Sequence, residues 1–202
     1  MFMTVLVANM NTMMARENFM DFNDRNFLHR WLTSQTHTDR VTEKILYRIE
    51  RTENALYFYV QTLHPFPEHN LRKAGLKKLS SFEVRVPEDG KITFKIFCTS
   101  HRQNHGNDRN GKVRAYFIKD ESERIERMKG RLAPFMTDLH IEEKKTDRVL
   151  FKKGEQYRKV PGSEFVGNGT VTDRDAFLEA VANGFGKSKN YGMGLLLYKP
   201  AV

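Results

Sequence analysis

The chain has a single cysteine, Cys98, so it can form no internal disulfide and no zinc site built on several cysteines. One thiol fits a reducing cytoplasm, and the strand-like surroundings of Cys98 assign it to packing. Long apolar runs are also missing. Met1 to Ala8 is apolar but far short of the roughly 20 residues a membrane-crossing helix needs. No basic segment precedes it as in a secretory leader. These absences set the expectation of a soluble, cytoplasmic protein with no membrane partner. Low-complexity tracts and a sequence period are lacking as well. Acidic charge is in deficit: 25 Asp and Glu face 34 Lys and Arg, for a net charge of +9 and a pI near 9.6.

That basic excess is concentrated. His101 to Arg114 carries four basic residues and one acidic, Lys144 to Lys159 seven and two, and Gly184 to Lys199 three and none. Together these segments hold +11, which leaves −2 for the rest of the chain. A solvated surface scatters charge. Charge gathered into three loop-like segments predicts a binding face for a polyanion such as nucleic acid.

The last segment contains the most distinctive stretch, Gly184-Phe185-Gly186-Lys187-Ser188-Lys189-Asn190-Tyr191-Gly192-Met193-Gly194. Four glycines and two lysines share these eleven residues. Glycine permits positive φ and close backbone approach, so its N–H groups can meet phosphate oxygens, while Lys187 and Lys189 add charge. A simple helix stop with a tight turn accounts for Gly184 but not for Gly192 and Gly194. Gly186-Lys187-Ser188 also matches the end of a nucleotide-binding P-loop. That motif needs glycine where Val181 stands, with a strand before it and a helix after. Here a helix enters and a strand leaves, which excludes the NTPase reading.

Taken in order, Met1 to Asn9 reads as a short buried strand. A polar loop rich in Asn and Met follows. Asp24 to Thr33 has helical spacing, with Phe27, Leu28, Trp31 and Leu32 on one face. Asn26, His29, Arg30 and Thr33 lie toward another, which places His29 outside the core of that helix. Lys44 to Glu50 and Ala55 to Leu63 read as strands joined at Arg51-Thr52-Glu53-Asn54. A short basic helix is expected within Glu68 to Leu79, and Phe82, Val84 and Val86 alternate as in a half-buried strand. This order fits a ferredoxin-like half. The turn Pro87-Glu88-Asp89-Gly90 is the expected boundary between domains 1–88 and 89–202.

A second half starts with alternation over Lys91 to Cys98. The polar, basic stretch from Ser100 to Gly111 reads as a loop. Asp120 caps a helix that turns Ile125, Met128 and Leu132 inward and stops at Pro134. Leu139 to Glu143 reads as a strand, Arg148 to Lys159 as a basic hairpin turning at Lys153-Gly154-Glu155, and Glu164 to Val171 as another strand. Thr172 with Asp175 resembles a capping box for a helix through Asn183, and Gly194 to Tyr198 is the last strand.

Three of these pieces resemble the CasE-type endoribonucleases of the RAMP superfamily, which process CRISPR precursor RNA in type I-E systems. The glycine loop follows that family's G-Φ-G-x-x-K-x-x-G-x-G-L-L pattern at Gly184, Phe185, Gly186, Lys189, Gly192, Gly194, Leu195 and Leu196. The strand and helix before it are similar too. His29-Arg30 sits on the helix after the first strand, where the family keeps its catalytic histidine, and Val60-Gln61-Thr62 ends a strand. The resemblance implies an α+β fold of two tandem ferredoxin-like (RRM-like) domains with antiparallel sheets. It also implies a protein that binds a CRISPR repeat hairpin, cuts it at the base of the stem, and stays with the mature crRNA and other subunits of the Cascade complex. RNA contacts are then expected from Gly184, Gly186, Lys187, Tyr191, Gly192 and Gly194, and from Arg102, Arg109, Lys112, Arg148, Lys152, Lys153, Arg158 and Lys159 in the basic segments. The family often has a tyrosine three residues before the histidine. Asn26 stands there, and Tyr191 and Lys189 are the candidates to replace it.

RNA carries its own nucleophile, the 2′-hydroxyl beside the scissile phosphate, so the chemistry requires no metal and no cofactor. His29 is assigned as general base or acid, with Arg30 or Lys189 as the electrostatic partner. The products are a 2′,3′-cyclic phosphate and a 5′-hydroxyl end. His101 and His105 are spaced as metal ligands on a helix would be, but they lie in a Gly- and Asn-rich stretch without a carboxylate triad; RNA contact or solvent exposure is expected for them. Asp120, Glu121, Glu123 and Glu126 read as an exposed charged face. His37, His64, His69 and His140 suggest no role. The rival readings are a non-catalytic RNA-binding subunit of a ribonucleoprotein complex and a structural subunit with an acidic partner.

Overall fold

The computed structural model describes residues 1–9, 24–36, 43–67, 71, 75–104 and 114–201. The first half contains β1 (Phe2–Asn9), α1 (Arg25–Gln35), β2 (Leu46–Arg51), β3 (Ala55–Thr62) and β4 (Leu76–Glu83). The second contains β5 (Lys91–Cys98), a small hairpin of β6 (His101–Asn104) and β7 (Arg114–Phe117), then α2 (Glu121–Leu132), β8 (Met136–Lys153), β9 (Gln156–Val171), α3 (Arg174–Asn183) and β10 (Leu196–Pro200). The sheets run β2-β3-β1-β4 and β10-β5-β9-β8, all antiparallel. In both, the first strand of the half lies between its third and its last. The protein is therefore α+β, with two tandem ferredoxin-like sheets.

Each sheet buries one face under helices. Leu28 and Leu32 of α1 pack on Leu6, Tyr47 and Phe58; Met128 of α2 with Phe177 and Val181 of α3 packs on Ile92, Ile96 and Phe165. Strand β5 alternates as expected, with Ile92, Phe94, Ile96 and Cys98 inward. Burial pushes the Cys98 thiol up to about 11, which keeps it protonated and suits a packing role. A third cluster of Met3, Leu46 and Leu195 joins the halves. Across the same seam, the Gln61 amide donates to the Val181 carbonyl (3.0 Å), giving the Val60-Gln61-Thr62 stretch a definite task. At the turn between the sheets, the Gly90 N–H reaches the Pro87 carbonyl (3.0 Å) and Arg174 donates to the same oxygen (2.9 Å).

Several expectations are corrected. Strand β4 takes the end of the stretch from Glu68 to Leu79, starting at Leu76; the short helix expected within that stretch falls on residues 68–70 and 72–74, which lie outside the described ones. Phe82 is 52% exposed rather than half-buried. It pairs with Met3 on the helix-free face of its sheet, and β4 is the edge strand there. Within the expected loop from Ser100 to Gly111, His101–Asn104 forms a strand paired with Arg114–Phe117. The three pieces expected between Leu139 and Val171 are one long hairpin, β8–β9, which takes up its twist at irregularities near Thr137–His140 and Glu143–Lys145. Helix α3 is capped by Asp173 rather than Thr172, its carboxylate accepting the Ala176 N–H (3.0 Å).

Candidate functional site

Helix α1 begins where the halves meet, and its first turn grips the long hairpin. The Asp24 carboxylate accepts the Asn26 N–H that caps the helix (3.0 Å) and also the backbone N–H of Lys152 in β8 (2.9 Å). The Asn26 side chain donates to the Lys152 carbonyl (2.8 Å). Both backbone groups of Lys152 are thus tied to one helical turn. The single turn Lys189–Tyr191 of the glycine loop packs against α1 as well, and Tyr191 stacks on Phe151 of β8, ring centroids 4.1 Å apart at 18°.

Tyr47 of β2 completes the junction. Its hydroxyl lies 2.8 Å from the Arg25 carbonyl and 2.9 Å from the Asn190 carbonyl, so one proton is shared between the helix and the glycine loop. Burial raises its pKa above the usual phenol range, which keeps that proton in place. Sequence reasoning missed Tyr47. The available signal was a tyrosine inside an apolar strand, since a buried phenol needs a hydrogen-bond partner. Tyr47→Phe is expected to cost about 1 kcal/mol, read as a lower urea midpoint at unchanged slope.

His29 lies inside this junction, only 6% exposed, with its ring centroid 6.2 Å from that of Tyr47. The helical wheel placed it outside the core, and the structure corrects that. One flank of α1 packs on the sheet through Leu28 and Leu32, while β8 and the glycine loop also pack against the helix. Arg30 is exposed. The Lys189 ammonium donates to the Asn183 carbonyl at the end of α3 (2.5 Å), and burial lowers its pKa.

All four loop glycines have positive φ: Gly184 (68°), Gly186 (78°), Gly192 (77°) and Gly194 (84°). Three of their N–H groups, expected from sequence to be open to phosphate, are engaged within the chain. Gly184 donates to Ala180 and Val181, Gly192 to Lys189, and Gly194 to Phe97. Packing accounts for the missing side chains: a Cβ would come within 2.7 Å of Leu46 at Gly184, 2.9 Å of the Tyr47 ring at Gly192, and 2.4 Å of the Phe185 carbonyl oxygen at Gly194. At Gly186 the nearest atom is an Arg131 guanidinium nitrogen at 3.3 Å.

The expected RNA-binding cations fall into groups. Lys153, Arg158 and Lys159 are exposed at the tip of the β8–β9 hairpin, and the Lys152 ammonium sits 5.0 Å from the Tyr157 ring centre. Lys187 is exposed on the glycine loop and close enough to His101 to join burial in lowering its pKa. Arg102 is in β6, while Arg109, Lys112 and His105 lie outside the described residues.

Arg148 lines a cleft of about 410 Å³ between the sheets, together with Arg25, Arg51 and Lys145. In that cleft Arg48 pairs with Glu50 (3.0 Å) and Glu164, and Lys95 with Glu50 (2.8 Å). Burial works to raise the Glu50 pKa, but the hydrogen bond from Lys95 and the charge of Arg48 outweigh it and hold the carboxyl below its ordinary value. A depressed carboxylate stabilises the fold above its unfolded pKa, and the contribution is lost as pH falls through the folded one. Acidification from about pH 7 to pH 3 should therefore lower the denaturation midpoint more in the native protein than in Glu50→Gln.

Two ferredoxin-like sheets, a basic hairpin and a glycine loop thus meet at a buried histidine. The chain belongs to the CRISPR associated protein family, whose model matches residues 1–200. Among solved structures, CRISPR endoribonuclease Cse3 bound to a 19-nucleotide RNA superposes with a TM-score of 0.81 at 19% identity, covering 99% of this chain and 100% of that one. The CRISPR-associated protein Cas6e from Escherichia coli K-12 gives 0.72 at 18%, with both chains covered in full (100%). A chain of a CRISPR RNA-guided surveillance complex gives 0.73 at 22%, again with 100% of both. At these identities the likeness is one of fold. No curated protein matches by sequence. Among the described residues no helix is long and apolar enough to cross a membrane.

Proposed function

We propose that this protein is a metal-independent endoribonuclease acting in the cytoplasm on CRISPR precursor RNA. It binds the repeat hairpin with the tip of β8–β9 and the glycine loop, cuts at the base of the stem, and keeps the mature crRNA within a Cascade complex. The observation that carries this reading is the position of His29, gathered with both expected RNA-binding elements at one junction. Membership of a CRISPR-associated family along nearly the whole chain supports it. The two halves act as domains divided at the turn 87–90.

In this mechanism His29 moves the proton of the attacking 2′-hydroxyl or of the leaving 5′-oxygen. Lys189 leaves the Asn183 carbonyl to face the phosphate, or Arg30 supplies the charge instead. The β8–β9 hairpin follows the phosphate edges of the stem, whose deep narrow groove is read by shape. A labelled repeat hairpin incubated with the protein in excess EDTA tests this: the expected products end in a 2′,3′-cyclic phosphate and a 5′-hydroxyl. Cleavage that requires an added divalent metal overturns the mechanism. The low exposure of His29 favours the second reading, an RNA-binding subunit without catalysis, which predicts salt-dependent binding and no product.

A further inference from the structure

We propose that the cleft between the two sheets is a binding site for single-stranded RNA, the strand that continues from the stem past the cut. This rests on the function proposed above and adds a separate site to it. The acidic groups at the back of the cleft are engaged by their own cations: Glu50 and Glu164 pair with Arg48 and Lys95. Four further cations line it, Arg25, Arg51, Lys145 and Arg148, against Asp147 alone. Arg51, Lys145 and Arg148 are exposed, and among the described residues none of the three is held in an ion pair. Arg48 is buried and its Nη1 has no hydrogen-bond partner among the described residues. A net positive cleft with spare guanidinium donors takes phosphate.

Shape and an aromatic ring narrow the ligand to a single strand. A volume of about 410 Å³ is near the lower end for small-ligand sites, which admits a nucleotide but no stem. Phe97 is half-buried on the same wall, and an aromatic face beside a cationic groove is how unpaired bases are held without regard to sequence. The location connects the cleft to the chemistry. Arg25 and His29 are four residues apart on α1, which puts them on one helical face a single turn apart. A strand leaving the stem at His29 therefore meets the mouth of the cleft.

The test uses the full chain and the double variant Arg51→Ala/Lys145→Ala, whose altered side chains are exposed. Binding is measured across a salt series to four labelled RNAs: the repeat hairpin alone, the hairpin with a short 5′ flank, the hairpin with a short 3′ flank, and an unstructured strand. A 2′-deoxy substitution at the cut site prevents cleavage. The flank that lies past the cut should tighten binding to the native protein, and tightening by the other flank alone overturns the proposal. The double variant should lose that gain, and its salt slope on the flanked RNA should fall by about 1.4 while the bare hairpin is unaffected. Phe97→Leu should weaken the flanked RNA about tenfold, again sparing the bare hairpin.

A flank that adds nothing, or a variant that weakens every RNA equally, overturns the proposal. If the native protein binds no hairpin, the function proposed above fails, and the unstructured strand still decides the cleft. Binding lost in the double variant then supports it, and no binding to that strand overturns it.

Discussion

Replacing His29 with alanine is expected to slow hairpin cleavage about a hundredfold to ten-thousandfold and to leave hairpin affinity unchanged. The rate falls because the 2′-hydroxyl is a poor nucleophile until its proton is removed, and imidazole is the side chain whose ordinary pKa lies nearest neutrality. Affinity should hold because the exposed cations proposed to meet phosphate, Lys153, Arg158, Lys159 and Lys187, lie on the hairpin and the glycine loop. His29 is buried against Tyr47, so alanine also opens space in the junction. His29→Gln fills most of it and cannot carry the proton, which separates chemistry from packing. A glutamine variant that cuts at the native rate would refute the assignment.

Asn26 gives the same experiment a second use. It occupies the place of the family tyrosine, and its amide is engaged with the Lys152 carbonyl. It acts as a fastener of the hairpin. The two candidates for the missing hydroxyl are also engaged, Tyr191 by stacking on Phe151 and Lys189 by the Asn183 carbonyl. Tyr191→Phe keeps the stack and removes only the hydroxyl. A rate unchanged by that substitution but lowered by Lys189→Ala assigns the electrostatic role to the lysine.

Much of this architecture is legible in the residues. Alternation over Lys91 to Cys98 and helical spacing in Glu121–Leu132 reflect local periodicities, and burial acts on them directly. The fate of His29 was not legible, because a helical wheel shows which residues share a face but not how many partners the helix has. Helix α1 has three: its own sheet, a hairpin residue more than a hundred positions away, and the glycine loop. The cleft was hidden for the same reason. Arg25, Arg51 and Lys145 belong to three different elements, and no window along the chain holds them together. The glycines are visible in the sequence as a unit, but not that Leu46, Tyr47 and Phe185 fill the space a side chain would need at Gly184, Gly192 and Gly194: sequence shows that a side chain is missing, and packing shows which neighbour occupies its place.

Gly194→Ala should therefore destabilise the fold severely while Gly186→Ala should not, although both residues have positive φ. A left-handed backbone costs an alanine about 1–2 kcal/mol in either place. At Gly194 the new Cβ would also lie 2.4 Å from the Phe185 carbonyl oxygen, an atom that cannot rotate away. Nor can Gly194 move, since its N–H is bonded to the Phe97 carbonyl (2.7 Å) and its carbonyl to the Phe185 N–H (2.9 Å). Forced repacking adds about 1–3 kcal/mol, for roughly 2–5 kcal/mol in all, a large share of the about 5–15 kcal/mol that holds a typical domain folded. At Gly186 the obstacle is the tip of Arg131, 3.3 Å away, which can swing aside and leaves only the backbone cost. Denaturant midpoints of the two variants separate the cases. Equal losses would mean that strain alone governs the loop. A Gly194→Ala protein that unfolds at the native midpoint yet no longer binds the hairpin would return that glycine to the RNA.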